Sequence, residues 1–256
     1  MALLETSNLT IKFGGLTAVE NFNLSHEAGE IVGLIGPNGA GKTTVFNLLT
    51  GIYRPTQGKV VFLGEDITLF RPYRRAAMGL ARTFQNIRLF GNLTVLQNVM
   101  IACHPYGRYG LLDSILRTPS YLQGQRAMLG RAMGLLEIFG LKDRNDELAR
   151  NLPYGHQRRL EIARALATSP KMLLLDEPAA GMNPQESEEL LEFIRLIHRD
   201  FKLTILLIEH HMDVVMGVCD RIVVLNFGRT IATGGPADIQ SNKEVIEAYL
   251  GEDETA

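Results

Sequence analysis

The residues best suited to chemistry stand in one short run, Gly36-Pro37-Asn38-Gly39-Ala40-Gly41-Lys42-Thr43, with Thr44 directly behind it. The G-x-x-x-x-G-K-[ST] spacing is that of a phosphate-binding loop. Its glycines let successive backbone N–H groups turn inward around phosphate oxygens, with the positive end of a following helix behind them. Lys42 is placed to reach the β- and γ-phosphates of a nucleoside triphosphate, and the Thr43 hydroxyl to ligate Mg²⁺. A plain strand-to-helix turn would have no use for the Lys-Thr pair.

A second run, Met172-Leu173-Leu174-Leu175-Asp176-Glu177-Pro178, ends four apolar residues in two carboxylates. Read as a buried strand, it puts both acids at the carboxyl end, where α/β sheets bind ligands. Burying such a pair without a ligand or partner is costly. Asp176 is expected to hold Mg²⁺, directly or through water. Glu177, one step on, points to the opposite side and suits a general base acting on water. Three further residues keep two readings each. Phe13 stacks on an adenine or fills the core. Gln85 offers its amide oxygen to a metal or to water. His210, just past the run Thr204–Ile208, reaches a γ-phosphate or caps a loop.

The elements that must position these residues follow from periodicity. Ile31 to Ile35 reads as a buried strand entering the phosphate loop, and Thr44 to Leu49 as the helix leaving it. Leu9, Ile11 and Phe13 alternate with polar neighbours, as do residues 18–24, so the chain opens with strands. Gly58 to Gly64 is another strand, and Pro72 to Gly79 a short helix whose Arg71, Arg74, Arg75 and Arg82 suggest a solvated basic face. From Asn86 to about Leu160 strand patterns give way to helical ones, in Leu93–Ile101 and Met128–Phe139. Residues 104–125, with Pro105, Pro119 and three glycines, read as a flexible connection around a short helix at Leu111–Leu116. Leu89, Phe90, Leu93 and Met100 in this block are read most simply as core, the alternative being a docking face that an inserted lobe presents. Arg158 to Ala167 is an amphipathic helix. Asn183-Pro184 with Glu186 forms a capping-box start for the helix that carries Leu190, Leu191, Ile194, Ile197 and Phe201. Two strands, two short helices and an acidic, frayed tail (251–256) complete the chain.

Composition narrows the class. At 256 residues and 46% hydrophobic, the chain suits one large domain, or a core carrying an insert. A net charge of −2 gives no sign of a nucleic-acid partner. Cys103 and Cys219 lie far apart without metal-ligand spacing, which suits reduced thiols. Glu5 interrupts the opening apolar residues, so no secretory leader is expected. The apolar runs are far shorter than the ~20 residues that span a bilayer. Any membrane link is therefore expected to be borrowed from a partner.

Taken together, these stretches resemble the ATP-binding cassette (ABC) family from about Leu4 to Gly251. The discriminating addition is Leu152-Pro153-Tyr154-Gly155-His156-Gln157, where that family carries its LSGGQ signature. The resemblance implies an α/β P-loop NTPase core of the ABC ATPase type, with N-terminal antiparallel β strands and an inserted α-helical subdomain. Its parts would be 1–85 and 161–235 for the core, 86–160 for the helical subdomain with the signature at its end, and 236–256 for C-terminal helices and tail. It implies ATP and Mg²⁺ as cofactors. Phe13 would be the adenine-stacking aromatic, Gln85 the glutamine linking the metal to the transporter interface, and His210 the switch histidine. Lys42, Glu177 and His210 would be catalytic; Thr43, Gln85 and Asp176 would hold the metal. Residues 36–44, Phe13 and Gly155 would bind nucleotide, with Gly155 acting on the partner subunit's ATP and Ala180 to Asn183 crossing the dimer interface.

The match departs from pattern at Pro153 for Ser, Tyr154 for Gly, His156 for Gln and Asn183 for Asp. Hydrolysis is still expected at the chain's own phosphate loop, with the departures bearing on the site it completes in trans. Within the family, residues 82–90, the long insert, Tyr154-Gly155, Ile208–Asp213 and Val245–Gly251 are similar to the ATPase subunits of branched-chain amino-acid importers, the larger of the two above all. That implies a heterodimer with a second ABC ATPase, two transmembrane permease subunits and, indirectly, a periplasmic binding protein, on the cytoplasmic face of the inner membrane. The alternatives are the ATPase of a lipid or other exporter, and a soluble ABC switch acting on DNA or ribosomes. A single phosphate loop and the lack of sustained heptads argue against the last.

Overall fold

A computed structural model describes residues 2–104, 109–210 and 212–253. His211, part of the connection at 105–108 and the end of the tail (254–256) lie outside the described residues. The chain forms two compact units, 1–85 with 171–256, and 86–170. The expected end of the helical insert at 160 falls inside a helix, Tyr154–Ala167, which belongs whole to the second unit.

In the first unit the apolar runs become a parallel sheet. Strands β3 (Ile31–Ile35), β7 (Met172–Asp176) and β8 (Thr204–Ile208) are buried along their whole length, as expected for strands covered on both faces. With β6 (Leu80–Arg82), β9 (Arg221–Asn226) and β10 (Arg229–Gly234) they take the order β10-β9-β3-β8-β7-β6, in which only β10 runs antiparallel. The alternating segments form a separate antiparallel sheet, β2-β1-β4-β5, from β1 (Ala2–Phe13), β2 (Leu16–Glu27), β4 (Gln57–Phe62) and β5 (Glu65–Asp66). Leu4, Leu9 and Phe22 of this sheet share one core with Val32, Leu34, Leu174 and Leu206 of the other and with Phe46 and Leu49 of α1 (Lys42–Leu49).

The basic face expected on α2 (Pro72–Ala77) is only half there. Arg71 and Arg74 are exposed, but Arg75 is buried. Its guanidinium donates to the carbonyls of Leu48 (2.7 Å), Leu49 (2.6 Å), Phe70 (3.1 Å) and Thr68 (2.9 Å). Arg75 thus satisfies carbonyls at the C-terminal end of α1 that the helix leaves unpaired. Burial pulls its pKa down to about 10. A side chain on Gly51 would meet Arg75 Nε at 2.7 Å, which keeps that turn a glycine.

The second unit contains α3 (Val95–Cys103), α4 (Leu111–Leu116), α5 (Pro119–Ile138) and α6 (Tyr154–Ala167). Thr94 caps α3 through a reciprocal pair with Gln97. The connection is shorter than periodicity suggested, because α5 starts at Pro119 rather than near Met128. Pro119 sits in the first turn with Thr118 as N-cap, where a proline initiates a helix instead of breaking one. Phe90 is exposed and Leu89, Leu93 and Met100 are half-buried, so the core reading of these four does not hold. Both cysteines are free and buried, and burial pushes the Cys219 thiol up to about 12. The following helices are α7 (Pro184–Phe201), α8 (Met212–Val218), α9 (Pro236–Gln240) and α10 (Lys243–Asp253) of the first unit.

Candidate functional site

Three adjacent parallel strands, β3, β8 and β7, deliver the sequence-derived residues to one carboxyl edge. From β3 comes the loop. Gly36, Gly39 and Gly41 have φ of 146°, 76° and 103°, a region that side chains disfavour. Space is short as well: a Cβ on Gly36 would stand 2.0 Å from the Leu225 carbonyl, and one on Gly41 2.8 Å from that of Ala18. Gly41 is the N-cap of α1, so Lys42, Thr43 and Thr44 form its first turn, where backbone N–H groups lack intrahelical partners. Lys42 Nζ is buried and donates to the carbonyls of Gly36 (2.6 Å) and Pro37 (2.9 Å), folded back over the loop. Thr43 is exposed.

From β7 come the carboxylates. Asp176 is buried, and its Oδ2 accepts from Arg82 Nη2 at 2.7 Å. Its Oδ1 is buried with no hydrogen-bond partner. A buried carboxylate oxygen left open is costly unless a ligand completes it, and a hard cation suits that oxygen. Glu177 lies past the strand with φ 46°, a strained left-handed conformation for a residue with a side chain. Its N–H donates to the Ile208 carbonyl at 2.9 Å. Gln85 Nε2 donates to Glu177 Oε2 at 2.8 Å, and His210 Nδ1 lies 3.9 Å from the same oxygen. Gln85, Glu177 and His210 therefore meet at one carboxylate.

Phe13 ends β1 with 46% of its surface exposed, its ring edge-on to Tyr53 at 5.3 Å. Of its two readings, the core one is excluded. The β1–β2 hairpin that carries Phe13 also supplies the Ala18 carbonyl against Gly41.

Two residues of this site were not picked out by pattern. Arg82 was read as surface charge, yet it binds Asp176, Asn47 Oδ1 (2.7 Å) and, between the rings of Phe46 and Phe84, ties α1 to the end of β7. Glu209 is buried and accepts from the N–H of Ala179 (2.7 Å) and of His210 (3.3 Å), joining the loops after β7 and β8. Its position directly after an apolar strand, like that of Asp176, was the available signal.

In the second unit, Pro153 is the N-cap of α6 and contributes no side-chain cap. Tyr154, Gly155 and His156 are its first turn, and their N–H groups face out of the helix end. Behind them Arg158 and Glu161 form a buried ion pair at 2.9 Å, Glu161 accepts the Arg88 N–H at 3.2 Å, and Arg158 reaches the Tyr154 hydroxyl at 3.4 Å. In the first unit Asn183 caps α7: its Oδ1 accepts the Glu186 N–H (2.9 Å), and Glu186 returns the bond (3.0 Å).

A phosphate loop and paired acids at the carboxyl edge of a parallel sheet define a P-loop nucleotide-binding fold. The family description ABC transporter matches residues 19–180, and the description branched-chain amino acid ATP-binding cassette transporter matches residues 229–255. The chain is 50% identical, over 98% of both chains, to the high-affinity branched-chain amino acid transport ATP-binding protein LivG of Escherichia coli K12. It is 46% identical, with the same coverage, to the corresponding protein BraF of Pseudomonas aeruginosa. The ADP conformation of MJ1267, an ATP-binding cassette of an ABC transporter, superposes with a TM-score of 0.85 at 32% identity, over 98% of this chain and 99% of that one. The chain belongs to the ABC transporter family. Among the described residues no helix is long and apolar enough to cross a membrane.

Proposed function

We propose that the chain is the ATP-hydrolysing subunit of an importer of leucine, isoleucine and valine, held at the cytoplasmic face of an inner membrane. One observation carries this reading: 50% identity across 98% of both chains to a protein named for high-affinity branched-chain amino acid transport. In this reading it pairs with a second ABC ATPase, engages two permeases and receives substrate indirectly from a periplasmic binding protein, without any nucleic-acid role.

The residues divide the work as follows. Phe13 covers the adenine face. N–H groups of residues 36–44 and Lys42 Nζ grip the β- and γ-phosphates, Lys42 exchanging its bonds to the Gly36 and Pro37 carbonyls for phosphate oxygens. Thr43, Gln85 and Asp176 would hold Mg²⁺, and the open Asp176 Oδ1 fits a cation. When bound, Mg²⁺ neutralises charge on the β- and γ-phosphates. Glu177 takes the proton of the attacking water, while Gln85 and His210 orient its Oε2. His210 then addresses the γ-phosphate. Gly155 and its neighbours offer helix-end N–H groups to the ATP on the partner subunit's loop, so that closure requires two subunits. The 86–170 unit passes closure to the permeases, with Leu89 and Phe90 as the docking residues.

An exporter ATPase would use the same catalytic residues, so the partners decide. The tagged chain, extracted from native membranes in mild detergent, is expected to bring down two permeases and a second, shorter ATPase, identified by mass spectrometry. A lone self-dimer in the soluble fraction, or ribosomal or DNA-bound partners, would overturn the transporter reading. Permeases of an export system would replace the importer.

A further inference from the structure

Helix α4 gathers four exposed large apolar side chains into six residues. Leu111, Leu112, Ile115 and Leu116 are 79%, 74%, 67% and 73% exposed. Their spacing puts all four on one face of the helix, with Asp113 and Ser114 on the other. The helix is held by its polar side instead. Asp113 accepts from the Gly110 N–H (2.9 Å) and from the Thr118 hydroxyl (2.8 Å), and the Ser114 hydroxyl donates to the Gly110 carbonyl (3.1 Å). A contiguous apolar face that folding does not use marks an interaction surface.

The surrounding charge says of what kind. From Tyr109 to Leu136 the sequence has three arginines (Arg117, Arg126, Arg131) and one carboxylate, in a chain whose formal charge is −2. That carboxylate is Asp113, turned to the ends of its own helix. Arg117, directly after the apolar face, and Arg126 are exposed. Six residues make a helix about 9 Å long, far too short to span a bilayer but long enough to lie in its surface. An exposed apolar face ending at Arg117, with Arg126 exposed on the following helix, matches an interfacial helix, whose side chains enter about 5–10 Å while its cations meet headgroup phosphates.

We propose that α4 rests on an anionic lipid surface, through Leu111, Leu112, Ile115 and Leu116 among the acyl chains and Arg117 and Arg126 at the phosphates. The contact is the chain's own, where the sequence led us to expect only a borrowed link. It is independent of which substrate the transporter carries. One short helix gives a weak, reversible contact, which adds to any protein partner by raising effective concentration.

The test is flotation of the purified full-length chain with vesicles of phosphatidylglycerol and phosphatidylethanolamine, against vesicles of phosphatidylcholine alone. Binding is expected to favour the anionic vesicles and to fall with added salt. The double variant Leu112→Asp, Ile115→Asp should lose more than about tenfold in vesicle affinity with its ATPase rate unchanged. Arg117→Gln and Arg126→Gln, which leave the apolar face intact, should each lose roughly fivefold. Equal binding to both vesicle types, or full binding by the double variant, overturns the proposal. So does binding seen only when permeases are reconstituted into the vesicles, which would assign the face to a protein partner.

Discussion

At the phosphate-loop edge the polar groups are fixed by partners within the same unit: Lys42 by the Gly36 and Pro37 carbonyls, Asp176 by Arg82, Glu177 by Gln85. At Leu152–Gln157 the helix starts on Pro153 with no side-chain cap and offers mainly backbone. The difference explains where the family's pattern is kept and where it is altered. A loop glycine cannot change, because a Cβ on Gly36 would overlap the Leu225 carbonyl at 2.0 Å. The first turn of α6 presents N–H groups that Tyr154, Gly155 and His156 all retain whatever their side chains are. Only Pro153 removes a donor, one of the four at that end.

The strongest way to break this contrast is at Glu177. Glu177→Gln preserves shape and the Gln85 neighbourhood but cannot take a proton. Turnover should fall on the order of 10²–10⁴-fold while ATP binding persists, as read by phosphate release beside nucleotide titration. Near-wild-type hydrolysis would remove Glu177 from the role of base. The edge would then be a binding site only.

A second comparison uses the two buried ion pairs, Arg82–Asp176 in one unit and Arg158–Glu161 in the other. Removing one partner of a buried pair costs about 3–5 kcal/mol, because the other charge stays buried alone. Arg82→Met and Glu161→Gln should therefore both lower the melting temperature. Bound ATP stabilises both variants by mass action, but Arg82→Met should gain more than Glu161→Gln when Mg²⁺ is added with the ATP, since a cation beside Asp176 replaces the lost positive charge. Equal recovery by both variants would mean that Asp176 has no special tie to the metal.

How much was legible beforehand follows the same division. The phosphate loop and the strands ending at Asp176 and Ile208 were readable because each signal is contiguous: an apolar run, then the polar residues it delivers. Arg75, Arg82 and Glu209 were not, because what defines them is contact with Leu48 and Leu49, Asp176 and Ala179, distant in sequence. Four arginines around one short helix look alike in sequence, and only packing separates Arg71 and Arg74 from the two that are enclosed. The start of α5 was missed because Pro119 was read as a breaker, and only the Thr118 cap makes it an initiator. Gln85 was named as a metal ligand, and its bond to Glu177 is a contact no spacing announced.

The finest test concerns Asn183, where the family has Asp. Within this chain its work is capping α7 through the reciprocal pair with Glu186, and Asn and Asp cap about equally well. Asn183→Ala should cost about 1 kcal/mol of stability, measured by urea denaturation. Asn183→Asp should change it by no more than a few tenths, with a slight gain from a carboxylate at a helix N-terminus. The two variants thus separate a local role from one across subunits. If Asn183→Asp leaves ATP turnover of the assembled complex unchanged, the departure is a neutral choice between two caps. If turnover moves while stability does not, the loop after Glu177 acts on the neighbouring subunit's nucleotide, and the altered signature and altered loop are parts of one asymmetric site.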